Sequence, residues 1–387
     1  MRNRRFIVLP FMWTMVCLSG FAIAQPPRGP FVISPQVLPD KKVTFRYLAP
    51  SAKEVKLAGS QFGAANITMT KDSIGIWSVA VGPVRPDIYP YSFTVDGVTV
   101  MDPANEDYFP NERFKASLVD VPGFTPLIHA MRDVPHGSVN YEYYPSAEGT
   151  TGSLVVYTPP GYDKDAAQKY PVFYLISGTT DTEETFFKVG RTNAILDNLI
   201  ADGKAKPMII VMPYGNVEAR IAEQKGGAKP SDVMAREGTD AMSRMRNFSD
   251  DMTKNIIPYI DKNYRTIPNR ESRAIGGFSR GGGQTLRTAF WNTDKFAWIC
   301  CYSAYLPPNE METNYQSLVS GPANMNKQLK LLWVSVGNED FLYNDVATFL
   351  NYLTSKKINY KSLITGGGHT WMNVKTYLAE TAPLLFK

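Results

Sequence analysis

The hydrophobic pattern of the chain changes character about a third of the way along. From Gln25 to Gly123, apolar and polar residues alternate in short runs: Val43-Thr44-Phe45-Arg46-Tyr47, Glu54-Val55-Lys56-Leu57-Ala58, Ile76-Trp77-Ser78-Val79-Ala80 and Tyr89 to Val95. Alternation with a period of two is the signature of strands with one face buried. Pro, Gly, Asn and Asp separate these runs, and Val95-Asp96-Gly97-Val98 reads as a tight hairpin. The pattern predicts a small all-β, immunoglobulin-like sandwich over residues 25–123. A connector follows over 124–137. From 138 to 387 the apolar runs are continuous and separated by helical patterns. Leu154 to Tyr157, Val172 to Ile176, Met208 to Met212, Trp298 to Tyr302, Leu331 to Val336 and Tyr360 to Ile364 read as strands. Thr192 to Ala201, Phe248 to Asn263 and Tyr343 to Thr354 read as helices, with Asp250 and Asp251 expected in the first turn of the second. Continuous apolar strands between helices predict a buried, mostly parallel sheet, so this part is α/β.

The N-terminus adds a targeting signal. Arg2, Arg4 and Arg5 precede a largely apolar run from Phe6 to Phe21, and Ala22-Ile23-Ala24 fits a small-residue cleavage site. Residues 1–24 are therefore expected to be a signal peptide, which places the mature chain in the periplasm or outside the cell. Thr14-Met15-Val16 before Cys17 does not make a lipobox. Without this segment the formal charge falls from +5 to +2, a balance that argues against nucleic-acid binding. No later stretch is long and apolar enough to suggest a membrane span. Only Cys300 and Cys301 remain after cleavage, adjacent and inside an apolar run, and they read as small core residues rather than a disulfide.

The chemistry concentrates at Gly277-Phe278-Ser279-Arg280-Gly281, a G-x-S-x-G pattern. It follows the strand-like Arg273-Ala274-Ile275-Gly276 and opens a helical stretch from Gly282. A serine on a sharp strand-to-helix turn is held strained with its hydroxyl exposed, and the helix N-terminus supplies N–H groups for a developing oxyanion. Flanking glycines let strand and helix approach.

A serine nucleophile needs a base, and the base needs an orienting acid. Three histidines exist: His129 and His136 in the connector, and His369 in Gly366-Gly367-Gly368-His369-Thr370-Trp371. His369 follows the last strand, in a loop at its C-terminal end, where open α/β sheets place their sites. The acid is expected between serine and histidine in the chain. Asp340, three residues beyond Gly337, is the candidate, Glu339 its rival, and Asp345 reads as a helix-start residue. The backbone N–H groups of Arg280 and Thr179 are the candidate oxyanion donors, Thr179 lying in Ser177-Gly178-Thr179-Thr180-Asp181 after the strand Val172 to Ile176.

These residues resemble carbohydrate esterase family 1, the feruloyl, acetylxylan and esterase-D-like hydrolases. The resemblance rests on Tyr157 to Tyr162, Pro171 to Gly178, Met212 to Asn216, Ile257 to Ile260, Arg273 to Gly282, Gly337 to Asp340 and Gly367 to Trp371, which span the second domain. The first domain resembles the early-set sandwich of the family 48 carbohydrate-binding modules, with Asp102-Pro103-Ala104-Asn105 near its end. The chain departs from the family at Ser177, where His is usual, and at Arg280, where a small or apolar residue is usual. The Arg280 guanidinium either lies near the acyl pocket and favours a carboxylate or hydroxyl, or points away and pairs with an acid.

The resemblance implies an α/β-hydrolase fold, serine-ester hydrolysis without cofactor or metal, and feruloylated or acetylated xylan as substrate. Trp371, Arg280 and Tyr214 are the substrate-binding candidates, and Tyr141, Tyr143 and Tyr144 are further aromatics able to flank an acyl group or sugar. A siderophore ester, acyl transfer to a sugar, and a carbohydrate-binding protein with an idle site are the alternatives. Trp77, Tyr89 and Tyr91 would be the glycan contacts if the first domain binds sugar, although alternating aromatics in a sandwich also read as core.

Overall fold

The computed structural model describes residues 30–63, 65–226 and 241–387. The expected signal peptide, residues 1–24 with Cys17, lies outside the described residues.

The alternating runs form two antiparallel sheets. One is ordered Gln36–Val37, Val43–Leu48, Ile76–Val81, Thr70–Lys71; the other is ordered Asn66–Thr68, Val55–Ala58, Asp87–Val95, Val98–Val100, with Ser117–Val121 also paired to Asp87–Val95. Inward positions two apart, such as Val43 and Phe45 or Tyr91 and Phe93, are buried between the sheets. The possible glycan contacts of this domain sit inside it. Trp77, Tyr89 and Tyr91 are buried; the Trp77 indole N–H donates to the Ala49 carbonyl at 3.0 Å and the Tyr91 hydroxyl to Asp102 at 2.7 Å. A sugar platform needs an exposed ring face, so Trp77 and Tyr91 are core instead, while Tyr89, though buried, edges a cavity shared with the larger unit.

The second sheet has eight strands, numbered here in chain order: β1 Ser138–Pro145, β2 Thr151–Thr158, β3 Val172–Ile176, β4 Ile209–Pro213, β5 Arg273–Phe278, β6 Trp298–Tyr302, β7 Leu331–Gly337 and β8 Lys361–Thr365. Their spatial order is β1-β2-β4-β3-β5-β6-β7-β8, the α/β-hydrolase order. β2 runs antiparallel to both neighbours and all other pairs are parallel. Every residue of β3, β4, β5, β6 and β7 is buried, as expected for strands covered on both faces. Cys300 and Cys301 are free and buried on β6. β1 escapes the periodicity reading because it is an edge strand whose Tyr141 and Tyr143 face solvent.

The helix expected from Phe248 starts earlier, at Ala241, and runs to Asn263 through a π-helical stretch, Met252–Ile256. There the Ile257 N–H bonds the Met252 carbonyl, one residue farther back than in an α-helix. Pro258 explains the local widening, since it lacks an N–H and its ring crowds the preceding turn. Asp250 and Asp251 are therefore mid-helix rather than in the first turn. Asp251 is buried and accepts from the Tyr144 hydroxyl at 2.7 Å and from Arg220 at 3.2 Å.

The sandwich and the eight-stranded unit share a core. Ile88, Phe109, Ala116 and Leu118 pack into the same cluster as Phe186, Val189 and Trp371. Beneath this contact Lys375, buried on the last helix, pairs with Asp87 of the sandwich. The connector is docked too. His136 meets Asp197 at 3.0 Å, and Asn198 donates to the Ala130 carbonyl at 2.9 Å. His129 is buried, and burial first, then the Lys375 charge, pushes its pKa down to about 4. His129 thus lies by the Asp87–Lys375 joint and His136 against Asp197 of the larger unit, and neither is hydrogen-bonded to Ser279 among the described residues.

Removing one partner of a buried ion pair leaves an uncompensated charge. Asp87→Asn is expected to lower unfolding stability by about 3 kcal/mol in urea titrations, and the double variant Asp87→Leu/Lys375→Met to recover most of that loss. Equal stability of Asp87→Asn and the parent would contradict the assignment of this joint.

Candidate active site

The site is built on the C-terminal edge of the parallel strands. β5 ends at Phe278, and Ser279 turns the chain directly into the helix Arg280–Trp291. Ser279 has φ 55° and ψ −121°, a conformation that costs a non-glycine residue about 1–3 kcal/mol. Three contacts hold it there. Its N–H donates to the Tyr302 carbonyl at 2.9 Å, its carbonyl accepts from Gly283 N–H at 3.0 Å, and Gly281 lies against β3. A Cβ on Gly281 would stand 2.1 Å from the Ile176 oxygen, and one on Gly277 2.5 Å from the Gly281 backbone. Only glycine fits at either place, which is the physical content of the G-x-S-x-G spacing. The first N–H groups of the following helix have no intrahelical acceptor and converge at the turn.

His369 and Asp340 meet on the loops after β8 and β7. His369 Nδ1 lies 2.8 Å from Asp340 Oδ2, while Asp340 Oδ1 accepts from Leu342 N–H at 2.9 Å. Asp340 is buried, whereas Glu339 is exposed, so the acid facing the imidazole is Asp340. The two loops are zipped together by Glu339 N–H donating to the Gly367 carbonyl at 3.0 Å. The imidazole is clamped between Phe278, centroid 4.5 Å away, and Phe341, 4.6 Å away. With Nδ1 committed to the carboxylate, Nε2 is the nitrogen left for proton transfer. No hydrogen bond joins Ser279 to His369 among the described residues; the shared element is Phe278, which precedes the serine and stacks on the imidazole. Such contacts are often long without substrate and tighten in the complex.

The loop after β3 carries the second candidate donor. Thr179 is exposed at the tip of Ser177-Gly178-Thr179-Thr180-Asp181, and Thr180 has φ 63°. This turn is propped from the sandwich side by the segment Tyr108 to Lys115, which sequence reasoning did not connect with the site. Glu112 N–H donates to the Thr180 carbonyl at 2.7 Å, Asn111 Nδ2 to Asp181 at 3.1 Å, Thr185 Oγ1 to the Pro110 carbonyl at 2.9 Å and the Tyr108 hydroxyl to Glu184 at 3.0 Å. No local pattern announces such a strap, because its partners lie about seventy residues away in the chain.

Arg280 points toward this strap. Its Nε and Nη2 are covered and unpaired, with Nη2 against Gly215. Glu112, Tyr214 and Asp181 are the nearest counter-charges and dipoles, and burial lowers the guanidinium pKa against their pull. None of the described acids comes within ion-pairing distance of it, so the direct acid pair that the sequence left open does not form. Tyr214 is buried, and its hydroxyl donates to Glu112. Trp371 is largely buried edge-on against Phe186 at 4.9 Å and Phe278 at 5.5 Å.

Two cavities involve residues of the site loops. One, of about 470 Å³, lies on the side of β1, β2 and β4 and includes Glu112, Tyr143, Glu183 and Tyr214 in its wall. The other, of about 420 Å³, joins His369 and Trp371 to Gln61, Tyr89 and Pro90 of the sandwich. Tyr214 and Trp371 thus each line a cavity, and the two cavities are distinct. Among the described residues no cluster of His, Cys, Asp and Glu could hold a metal ion.

Residues 148–371, more than half of the chain, match the family described as "Putative esterase". An endo-1,4-beta-xylanase/feruloyl esterase from Xylanibacter ruminicola is 26% identical over 374 residues, which cover 94% of this chain and 47% of that protein. The chain spans about half the length of that curated relative. Among solved structures, the feruloyl esterase module from Clostridium thermocellum complexed with sinapinate is 22% identical with a TM-score of 0.54, covering 73% of this chain and 94% of that one. The enterobactin esterase from Shigella flexneri is 13% identical with a TM-score of 0.60, covering 88% and 92%. At these identities the structural likeness is one of fold.

Asp181 offers a pH test of the strap. Burial pushes its pKa up to about 7 from 3.8, against the pull of Asn111 and Arg280. The folded chain holds this proton more tightly than the unfolded chain, so the group's contribution to stability is present below pH 3.8 and is lost as pH rises through about 7. Asp181→Asn removes that dependence. Relative to the parent, its Tm is expected to gain between about pH 4 and 7 and to level off above that; a Tm difference flat with pH from about 4 to 7 would contradict the buried placement.

Proposed function

The chain belongs to this esterase family, and we propose that it is a serine carboxylic-ester hydrolase acting on esters of plant cell-wall polysaccharide, chiefly feruloylated or acetylated xylan. The observation that carries the chemistry is the strained Ser279 turn set beside the buried Asp340–His369 pair. His369 Nε2 takes the Ser279 proton as Oγ attacks the ester carbonyl. The N–H groups of Arg280 and Thr179 receive the oxyanion. Collapse of the tetrahedral adduct breaks the bond to the alcohol, which leaves with the proton from His369. A water molecule, deprotonated by the same nitrogen, then attacks the acyl-enzyme, and the acid departs from Ser279. Asp340 holds the imidazole in the tautomer with Nδ1–H and stabilises it while protonated.

The substrate class is supported by the Xylanibacter relative, whose name couples xylanase with feruloyl esterase and which aligns along nearly the whole of this chain, sandwich included. The basic and apolar N-terminal segment supports export, where such a polysaccharide would be met.

Ser279→Ala is expected to lower kcat on p-nitrophenyl acetate by at least about three orders of magnitude with an unchanged circular-dichroism spectrum. The parent protein is expected to release ferulate or acetate from arabinoxylan oligosaccharides and to leave enterobactin intact. Turnover near the parent level in Ser279→Ala would sink the nucleophile. Enterobactin hydrolysis without release from xylan would sink the substrate class.

A further inference from the structure

The 470 Å³ cleft lies along the same edge of the sheet as Ser279 but is not needed for the ester chemistry. Its walls follow the strand order. Tyr143 stands on β1, across from Ser153 on β2; Tyr214 follows β4; Glu183 follows β3; and the next strand, β5, leads into Ser279. With strands roughly 4.8 Å apart, walls drawn from β1, β2, β4 and β3 cover about 14 Å of the sheet edge, starting one strand from the nucleophile. That is the span of several sugar units rather than of one acyl group.

The chemistry of the walls fits such a ligand. Tyr143 is 69% exposed, and among the described residues no hydrogen bond or aromatic partner holds its ring. Its neighbours behave otherwise: Tyr141 donates to Glu184 at 2.6 Å, and Tyr144 is buried on Asp251. The same cleft is lined by polar groups fixed in advance. Glu112 is held by Tyr214 and by Asn216 at 3.3 Å, Lys115 Nζ donates to the Asn111 carbonyl at 3.2 Å, and Gln224 is paired to both backbone groups of Thr151 at 2.8 Å. An exposed aromatic face in one cleft with preorganised carboxylate and ammonium groups suits a pyranose or furanose ring, whose C–H face stacks while its hydroxyls take the hydrogen bonds. Acids and bases line the cleft together, which favours a neutral sugar.

We propose that this cleft is a subsite for the sugar chain of the ester substrate, with Tyr143 as its stacking platform and Glu112 and Lys115 as hydroxyl partners. The subsite rests on the polysaccharide-ester reading. It assigns a role to the strap from the sandwich side, which supplies two of the polar partners. Binding energy gathered there, remote from the reacting carbonyl, bears on oligosaccharide esters and not on small ones.

The test compares methyl ferulate with a feruloylated arabinoxylan oligosaccharide on the full chain. Tyr143→Ala is expected to raise KM for the oligosaccharide about fivefold, the size of one aromatic contact, and to leave KM for methyl ferulate within about twofold. Tyr143→Phe is expected to behave as the parent. An unchanged KM for the oligosaccharide, or an equal rise on both substrates, overturns the subsite. A second measurement does not need turnover: saturation-transfer NMR with xylotetraose is expected to show binding to Ser279→Ala and its loss in the Ser279→Ala/Tyr143→Ala double variant. If neither ester is hydrolysed, the cell-wall reading fails while the NMR result still decides the subsite; absence of xylotetraose binding overturns it.

Discussion

Everything at the site depends on one close approach, that of Gly281 to the carbonyls at the end of β3. The backbone of the elbow helix can sit that near only because residue 281 carries no side chain. The approach fixes Ser279 in a strained turn between β5 and the helix, with the hydroxyl lifted off the sheet edge. It also fixes the spacing between the helix N-terminus and the loop after β3, from which the two proposed oxyanion donors come. The acid and base loops are located by the same sheet, two and three strands farther along, and are joined by their own backbone hydrogen bond. The parallel sheet thus acts as a ruler, and each loop contributes one group.

The sandwich is part of this arrangement and not an appendage to it. Its Tyr108 to Lys115 segment braces the turn that carries Thr179, and its Gln61, Tyr89 and Pro90 form one wall of the cavity beside His369. Ile88 and Phe109 enter the core of the larger unit, and Asp87 is the counter-ion of a buried lysine there. Arg280 ties the two ends together. It is the residue next to the nucleophile, and the acid nearest in effect to its charge is Glu112 of the strap.

Much of this was legible from residue order. The strand Val172–Ile176 and the helix Thr192–Ala201 have the limits that apolar runs and flanking polar residues mark, because local burial sets both. The Ser279 turn was legible because its requirement is steric and local: a serine between two glycines, after a strand and before a helix. The placement of Asp340 and His369 on successive loops followed from strand order alone. What stayed hidden is long-range or edge-related. β1 alternates only weakly and shows tyrosines to solvent, so it reads as a source of ligand contacts rather than as a strand. The early start of the helix at Ala241 was masked by Ser, Arg and Asn, whose polar faces need no core. The strap, the buried Asp87–Lys375 pair and the direction of Arg280 depend on contacts between segments far apart in sequence, for which no spacing rule exists. Trp77 and Tyr91 show the converse: aromatic identity invited a ligand reading, and burial decided otherwise.

The central claim is that the elbow presents Ser279 as an activated nucleophile. Reaction of the folded chain with a fluorophosphonate, followed by mass mapping of the peptides, tests it directly, because the probe is captured by a serine whose proton is being withdrawn and whose oxyanion is supported. The account predicts one phosphonyl group per chain, on Ser279. No adduct, or an adduct on a different serine, would contradict it.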